Sequence, residues 1–210
     1  MKLQDLKKYN VILFTKETLR QIEPREDSLN YNLSYWIKKG EVILLKSGLY
    51  ITRERREKEA GNKEFPEYIA NKIYEPSYLS GEYVMSKFGL LTEGVTNITS
   101  VSTRKTKIFK NVLGTFYYYS VTPPLFTGFT AKNYDQYPVF NAGKIKALFD
   151  FLYLRFLKNT PVYGKTIEEL RINWENLKRP EFKAMYKYVK LSGSRKVNDV
   201  YNLIQSKYYI

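Results

Sequence analysis

Apolar residues in the first fifty positions recur with two different periods. Leu29, Leu33, Trp36 and Ile37 fall at i, i+4, i+7 and i+8, which places them on one face of a helix. Upstream, Phe14-Thr15-Lys16-Glu17-Thr18-Leu19 predicts another helix start, with Thr15 as cap and Phe14 stapled onto Leu19. Pro24 disfavours a helical residue before it, so this helix stops near Glu23. Arg25-Glu26-Asp27 forms a short turn, Asp27 or Ser28 caps the second helix, and Gly40 ends it. The period then changes. Glu41-Val42-Ile43-Leu44-Leu45 and Leu49-Tyr50-Ile51-Thr52 are β-rich runs joined by Lys46-Ser47-Gly48, which predicts a hairpin.

A short helix over Leu3 to Tyr9, two helices joined by a tight turn, then a hairpin is the order of a winged helix-turn-helix. Arg53 to Lys63 is a mixed charge run with a single Ala as its only apolar residue, and reads as a linker. Beyond it, helices are predicted over Phe65–Tyr74 and Gly81–Phe88, and strands over Asn97–Thr103, Gly114–Val121 and Gln136–Phe140. A long helix follows over Ala142–Leu157, with Ile145, Leu148, Phe149, Leu152 and Phe156 inward. Thr166-Ile167-Glu168-Glu169 reads as a capping box. Pro180 opens a helix with Phe182, Met185, Tyr186 and Val189 inward, and Val197, Val200, Tyr201 and Ile204 mark a last one. The expected fold is α+β: a winged helix-turn-helix over residues 1–60, then an α/β domain over 61–210 with a small, mainly antiparallel sheet and C-terminal helices.

Composition narrows the chemistry. The chain of 210 residues has no His and no Cys, which removes imidazole bases, thiol nucleophiles, disulfides and the usual zinc sites. No GxxxxGK[ST] or GxGxxG phosphate loop is present. Neither an enzyme nor a cofactor is expected. The start, Met1 to Lys8, lacks the apolar region of a secretion signal, and Ala147 to Leu154 is too short to span a bilayer, so a cytoplasmic protein off the membrane is expected. The net charge of +14 points to a polyanion. It is unevenly spread: +4 over residues 1–60, +2 over 61–140 and +8 over 141–210.

That charge changes the reading of the second helix. Tyr31, Ser34, Tyr35 and Lys38 point away from its apolar stripe, and Ser28 and Asn30 lie at its N-terminal end. No acid lies between Ser28 and Lys39, so this face can approach phosphates without repulsion. Asn can pair with adenine, while Arg25 lies in the turn before the helix and Lys46 and Arg53 flank the hairpin within reach of phosphates. The expected DNA-binding set is therefore Arg25, Ser28, Asn30, Tyr31, Ser34, Tyr35, Lys38, Lys46 and Arg53. Lys183, Lys187 and Lys190, at i, i+4 and i+7, form a candidate secondary basic surface, and Arg104-Lys105-Thr106-Lys107 is a basic turn of similar character. Lys146 and Asp150 are spaced as a helical ion pair worth a few tenths of a kcal/mol at a surface, and Asp150 interrupts an otherwise apolar helix.

Pro76-Ser77-Tyr78-Leu79-Ser80 followed by Phe88-Gly89-Leu90-Leu91 resembles the PSYIS…hGLI signature of the AbiEi family of antitoxins. Lys144 to Tyr153 resembles that family's EKALlDllY helix, and Gly48-Leu49-Tyr50 resembles the rGlYv that closes its winged helix. The ordered set covers most of residues 10–155. Tyr83-Val84-Met85 stands where the family often has SAL, and Ile145 replaces the Glu of EKAL, which marks a divergent member. The resemblance implies the antitoxin of a type IV toxin–antitoxin, abortive-infection system of phage defence. Its winged helix would bind repeats in double-stranded promoter DNA and repress its own operon. Residues 61–210 would then be the antitoxin domain, counteracting a nucleotidyltransferase toxin without a stable complex. The alternatives are a protein-interaction module docking a toxin or other partner, and a solitary winged-helix transcriptional regulator.

Overall fold

A computed structural model describes residues 3–9, 11–157 and 160–209. The chain divides into two compact units. The first runs to Pro66 and includes Phe109–Gly114; the second comprises Glu67–Ile108 and Thr115 onward. The protein is of mixed α+β class.

The first unit begins with a 3-10 segment, Leu3–Tyr9. Helix α1 (Lys16–Arg20) is capped by Thr15, whose hydroxyl accepts from the Thr18 N–H while the Thr18 hydroxyl accepts from the Thr15 N–H. Helix α2 (Glu26–Lys39) starts earlier than the sequence suggests: its N-cap is Arg25, and neither Asp27 nor Ser28 caps it. Its first turn therefore carries Glu26 and Asp27. Acids there suit the helix dipole, which accounts for the longer helix. Strands β1 (Val42–Lys46) and β2 (Leu49–Thr52) form an antiparallel hairpin, with a register irregularity between Leu44 and Lys46. Phe14 adds a bridge to Tyr50, with backbone hydrogen bonds of 3.0 and 2.9 Å, and the two rings stack at 5.6 Å.

Leu6, Phe14, Leu19, Leu29, Leu33, Trp36, Val42 and Tyr50 form the core of this unit. Ile37 does not join them and is 38% exposed. On a helix it lies about 80° round from Leu29, whereas Leu33 and Trp36 lie within about 40°. The charge run after the hairpin is a helix, not a linker: α3 (Arg53–Lys58) is capped by Thr52 and buries none of its side chains. Ion pairs Arg55–Glu59 and Lys58–Glu54, both at i,i+4, supply what an apolar face does not.

After helix α4 (Glu64–Ile73) come β3 (Ser77–Leu79), α5 (Gly81–Lys87), β4 (Ile98–Ser102), β5 (Lys107–Asn111), β6 (Gly114–Ser120), β7 (Phe129–Tyr134), β8 (Tyr137–Ala142) and α6 (Lys144–Leu157). The expected small, mainly antiparallel sheet is instead six-stranded and mixed, in the order β5-β6-β4-β3-β8-β7. β3 pairs antiparallel with β4 but parallel with β8, and β4 pairs parallel with β6. The parallel pairs join strands distant in sequence, which local patterning cannot specify. β3 has three residues, all buried, and so shows no alternation.

Helix α6 buries Leu148, Phe149, Leu152 and Phe156 as its spacing predicts, with Ile145 only half-buried. Helix α7 (Gly164–Glu168) has Tyr163 as its N-cap, and Thr166 lies within it, its hydroxyl buried without a hydrogen-bond partner, so the expected capping box does not form. The single helix expected after Pro180 is two, α8 (Arg179–Ala184) and α9 (Tyr186–Ser192). At the junction the Met185 and Tyr188 N–H groups bond to the third carbonyl back, tightening the turn. Helix α10 (Arg195–Tyr208), capped by Ser194, buries Val197, Val200, Tyr201 and Ile204. Among the described residues no helix is long and apolar enough to cross a membrane.

Candidate functional site

The predicted DNA-binding residues separate into two groups. Tyr31, Ser34, Tyr35 and Lys38 form one exposed stripe along α2, with Tyr31 73% and Tyr35 47% exposed. The Lys39 ammonium lies 5.7 Å from the Tyr35 ring centroid and adds a cation beside it. This stripe holds two aromatic rings, hydroxyls and cations, and no carboxylate.

The residues at the helix start are engaged within the unit. Ser28 Oγ donates to Glu23 Oε2 at 2.9 Å, and the Arg25 Nε and backbone N–H both meet Glu23 Oε1 at 3.3 Å. Asn30 Oδ1 accepts from Lys16 Nζ at 2.6 Å. Glu26 accepts from Arg20 Nε at 3.0 Å. The Arg25 hydrogen bond, then that of Ser28, hold the Glu23 carboxyl below its ordinary range, and Arg20 does the same for Glu26. These carboxylates offset the cations around Arg25, Ser28 and Asn30, so the earlier start of α2 makes this end less favourable to phosphate than the exposed stripe.

Arg53 is placed at the end of α2. Its Nε donates to the Gly40 carbonyl at 2.7 Å, and Nη2 meets the Lys39 carbonyl at 3.4 Å. Gly40 lies in the left-handed region at φ 66°, and the guanidinium occupies the space a side chain would need. Its charge thus complements the negative end of the helix dipole. Lys46 ends β1 and is half-buried.

A second polar site lies deep in the other unit. Asp150 is fully buried and accepts three hydrogen bonds: from Lys146 Nζ at 2.6 Å, Ser80 Oγ at 2.7 Å and Tyr78 Oη at 2.9 Å. Lys146, 1% exposed, also donates to the Leu125 carbonyl at 2.9 Å and lies 4.9 Å from the Phe149 ring centroid and 5.1 Å from that of Tyr188. Burial raises the Asp150 carboxyl and lowers the Lys146 ammonium, and each opposes the shift in the other. Burial, with the Asp150 charge, pushes the Tyr78 phenol far above its ordinary range, so it remains a donor.

This is not the surface ion pair that i,i+4 spacing suggests. It ties α6 to β3, to the start of α5, to the 3-10 turn at Leu125 and to α9, and its energetics are those of a buried pair. The centre joins Tyr78 and Ser80 of the PSYLS segment to Lys146 and Asp150 of the long helix, about seventy residues apart. Neither Tyr78 nor Ser80 stands out in the sequence as an Asp150 partner; the polar interruption of an apolar helix was the available signal.

Two further contacts carry no local signature in the sequence. Asn71 Oδ1 accepts from the Phe140 N–H at 2.7 Å and its Nδ2 meets the Phe140 carbonyl at 3.4 Å, so a side-chain amide completes β8 where β3 has parted from it. Glu67, buried, accepts from Tyr83 Oη at 2.8 Å and pairs with Lys87. Lys183, Lys187 and Lys190 are all exposed, but the first lies on α8 and the others on α9, where Lys187 and Lys190 rest beside the Tyr188 and Tyr186 rings.

No family model matches the chain, and no curated protein matches it.

Proposed function

We propose that the protein is a DNA-binding antitoxin, a divergent relative of the AbiEi family, which represses its own operon through residues 1–60. In this reading α1 and α2 are the helix-turn-helix and β1–β2 the wing. Promoter DNA, in repeats, is read by Tyr31, Ser34, Tyr35 and Lys38 in the major groove. The observation that carries it is the exposed, carboxylate-free stripe on the helix that follows the tight turn. The tail of α2 adds Lys39, and the wing adds Lys46 as a flanking cation. The C-terminal unit counteracts a nucleotidyltransferase toxin without a lasting complex, a role resting on the resemblance at Pro76–Ser80 and Lys144–Tyr153. That both segments meet at Asp150 supports treating them as one motif.

A promoter-binding titration across a salt series tests the DNA reading. Tyr31→Ala with Lys38→Ala abolishes specific binding, and Lys38→Ala alone lowers the salt slope by about one. Unchanged affinity in the double variant at every salt concentration rejects it.

One observation favours a second reading, a protein-docking module. Tyr31, Tyr35, Ile37 and Leu44, all in the first unit, are large apolar side chains left exposed. Retention of a neighbouring gene product through high-salt purification, lost with Ile37→Ser and Leu44→Ser, would establish that reading instead.

A further inference from the structure

A cavity of about 370 Å³ opens in the second unit beside α6 and the strands β4 and β6. Its walls differ in chemistry. One is apolar and comes from α6: Phe151 and Leu154. Another carries Tyr119 of β6, half-buried, and the Thr106 hydroxyl. Thr106 Oγ1 already accepts from the Ser120 N–H at 3.1 Å, which leaves its own proton to donate. Arg155, exposed and one turn beyond Phe151 on α6, supplies a cation, and Glu82 supplies the one carboxylate of the lining.

Three observations give the cavity a preference. First, acids are scarce around it: Glu82 is the single carboxylate of the lining and is balanced by Arg155. Residues 94–134, which include β4 and β6, contain no Asp or Glu, and Asp150, the acid of α6, is buried and paired with Lys146. Second, Arg155 forms no ion pair among the described residues, so its guanidinium is available to a bidentate anion such as phosphate. Third, the Tyr119 ring is part of a platform. Tyr117 and Tyr119 are parallel within 11°, with centroids 6.4 Å apart, on one face of β6. Parallel tyrosines along one strand face, next to a cation, are how proteins stack bases without reading their sequence. Burial, then Glu82 and Tyr117, hold the Tyr119 phenol above its ordinary value, so it stays protonated and can donate.

We propose that this cavity binds a nucleotide, with the base against Tyr119 and the apolar wall of α6, and the phosphate on Arg155. Its volume falls in the range of small-ligand sites. Glu82 accepts from an amino group of the base or a sugar hydroxyl. The nucleotide is either free or a unit of a single strand, since both offer the same base and phosphate. The site lies on the second unit and is independent of the α2 stripe proposed to read duplex DNA.

Calorimetric titration of the full chain with the four nucleoside 5′-monophosphates, the corresponding nucleosides and a short single-stranded oligonucleotide tests the proposal. Arg155→Ala, at an exposed position, weakens monophosphate binding about 10-fold or more while leaving nucleoside binding unchanged. Tyr119→Ala weakens both. Oligonucleotide binding with the same Arg155 dependence, without monophosphate binding, assigns the site to a strand. The control pair Tyr31→Ala and Lys38→Ala leaves all of this intact while removing duplex binding, so either proposal can fail alone. If no probe binds the wild-type chain, or Arg155→Ala binds monophosphates as tightly as wild type, the proposal is wrong.

Discussion

The two units differ in what their apolar cores enclose. In the first, eight apolar side chains from the N-terminal segment, α1, α2 and the hairpin pack together, and the buried acid Glu23 is held outside that cluster by Arg25 and Ser28. In the second, an aspartate and a lysine of α6 are enclosed with the apolar side chains, at 0% and 1% exposure. The apolar core gains from every methylene it removes from water. The charged centre has no such simple gain: two ions leave water, and their attraction and hydrogen bonds must offset that loss. Its geometry is restrictive, since Asp150 needs Tyr78 on β3 and Ser80 at the start of α5 while Lys146 needs the Leu125 carbonyl. A buried pair with such demands is expected to select an arrangement more than to stabilise one.

That contrast can be broken at the charged centre, where the largest effect is expected. Asp150→Ala leaves Lys146 buried without its counter-ion and strips the acceptor from Ser80 and Tyr78, and should cost about 3–5 kcal/mol. Replacing both ions, Lys146→Met with Asp150→Leu, should recover most of that loss and come out near wild type or more stable. Urea unfolding of the three proteins decides the matter. A double variant as unstable as Asp150→Ala would mean the ions stabilise the fold outright.

The apolar unit gives the next largest effect, and a graded one. Leu33→Ala opens the core under α2 and should cost about 2–5 kcal/mol, whereas Ile37→Ser, at the rim of the same stripe, should stay within about 1 kcal/mol. Equal losses would show that Ile37 is buried in solution, against its 38% exposure.

This contrast also explains what could be read in advance. In the first unit the information is local: Leu29, Leu33 and Trp36 repeat at the helical period, Thr15 caps α1, and Gly40 closes α2. The exposed stripe of Tyr31, Ser34, Tyr35 and Lys38 follows from the same period. Where local reading failed, a tertiary partner or a charge pair decided. Arg25 and Ser28 turn to Glu23, and Arg53 turns back to the Gly40 carbonyl. α3 forms from i,i+4 ion pairs in a run with no apolar pattern. In the second unit the decisive contacts span long distances in the chain. Nothing near Tyr78 announces Asp150, nothing near Asn71 announces Phe140, and the parallel pairing of β3 with β8 is invisible to any local window.

The smallest effect is a pH dependence at Glu23, beside the apolar core of the first unit. Glu23 accepts hydrogen bonds from Arg25 and Ser28, which hold its carboxyl below its ordinary 4.5. A carboxyl depressed on folding binds fewer protons folded than unfolded, so its contribution is present above the unfolded value and is lost as pH falls through the folded one. Wild-type stability should therefore decline as pH drops below about 4.5, and Glu23→Gln should flatten that part of the curve without changing the plateau near neutrality by more than a small amount. A slope unaltered by Glu23→Gln would assign the acid sensitivity to Glu17, Glu26 or Glu181, whose carboxyls are also held low. The same substitution reaches the proposed DNA contact. It removes a negative charge beside Arg25 and frees that guanidinium, so duplex affinity should rise and its salt slope should steepen by up to about one if Arg25 then meets a phosphate. An unchanged slope would leave the exposed stripe of α2, rather than the start of the helix, as the surface that meets DNA.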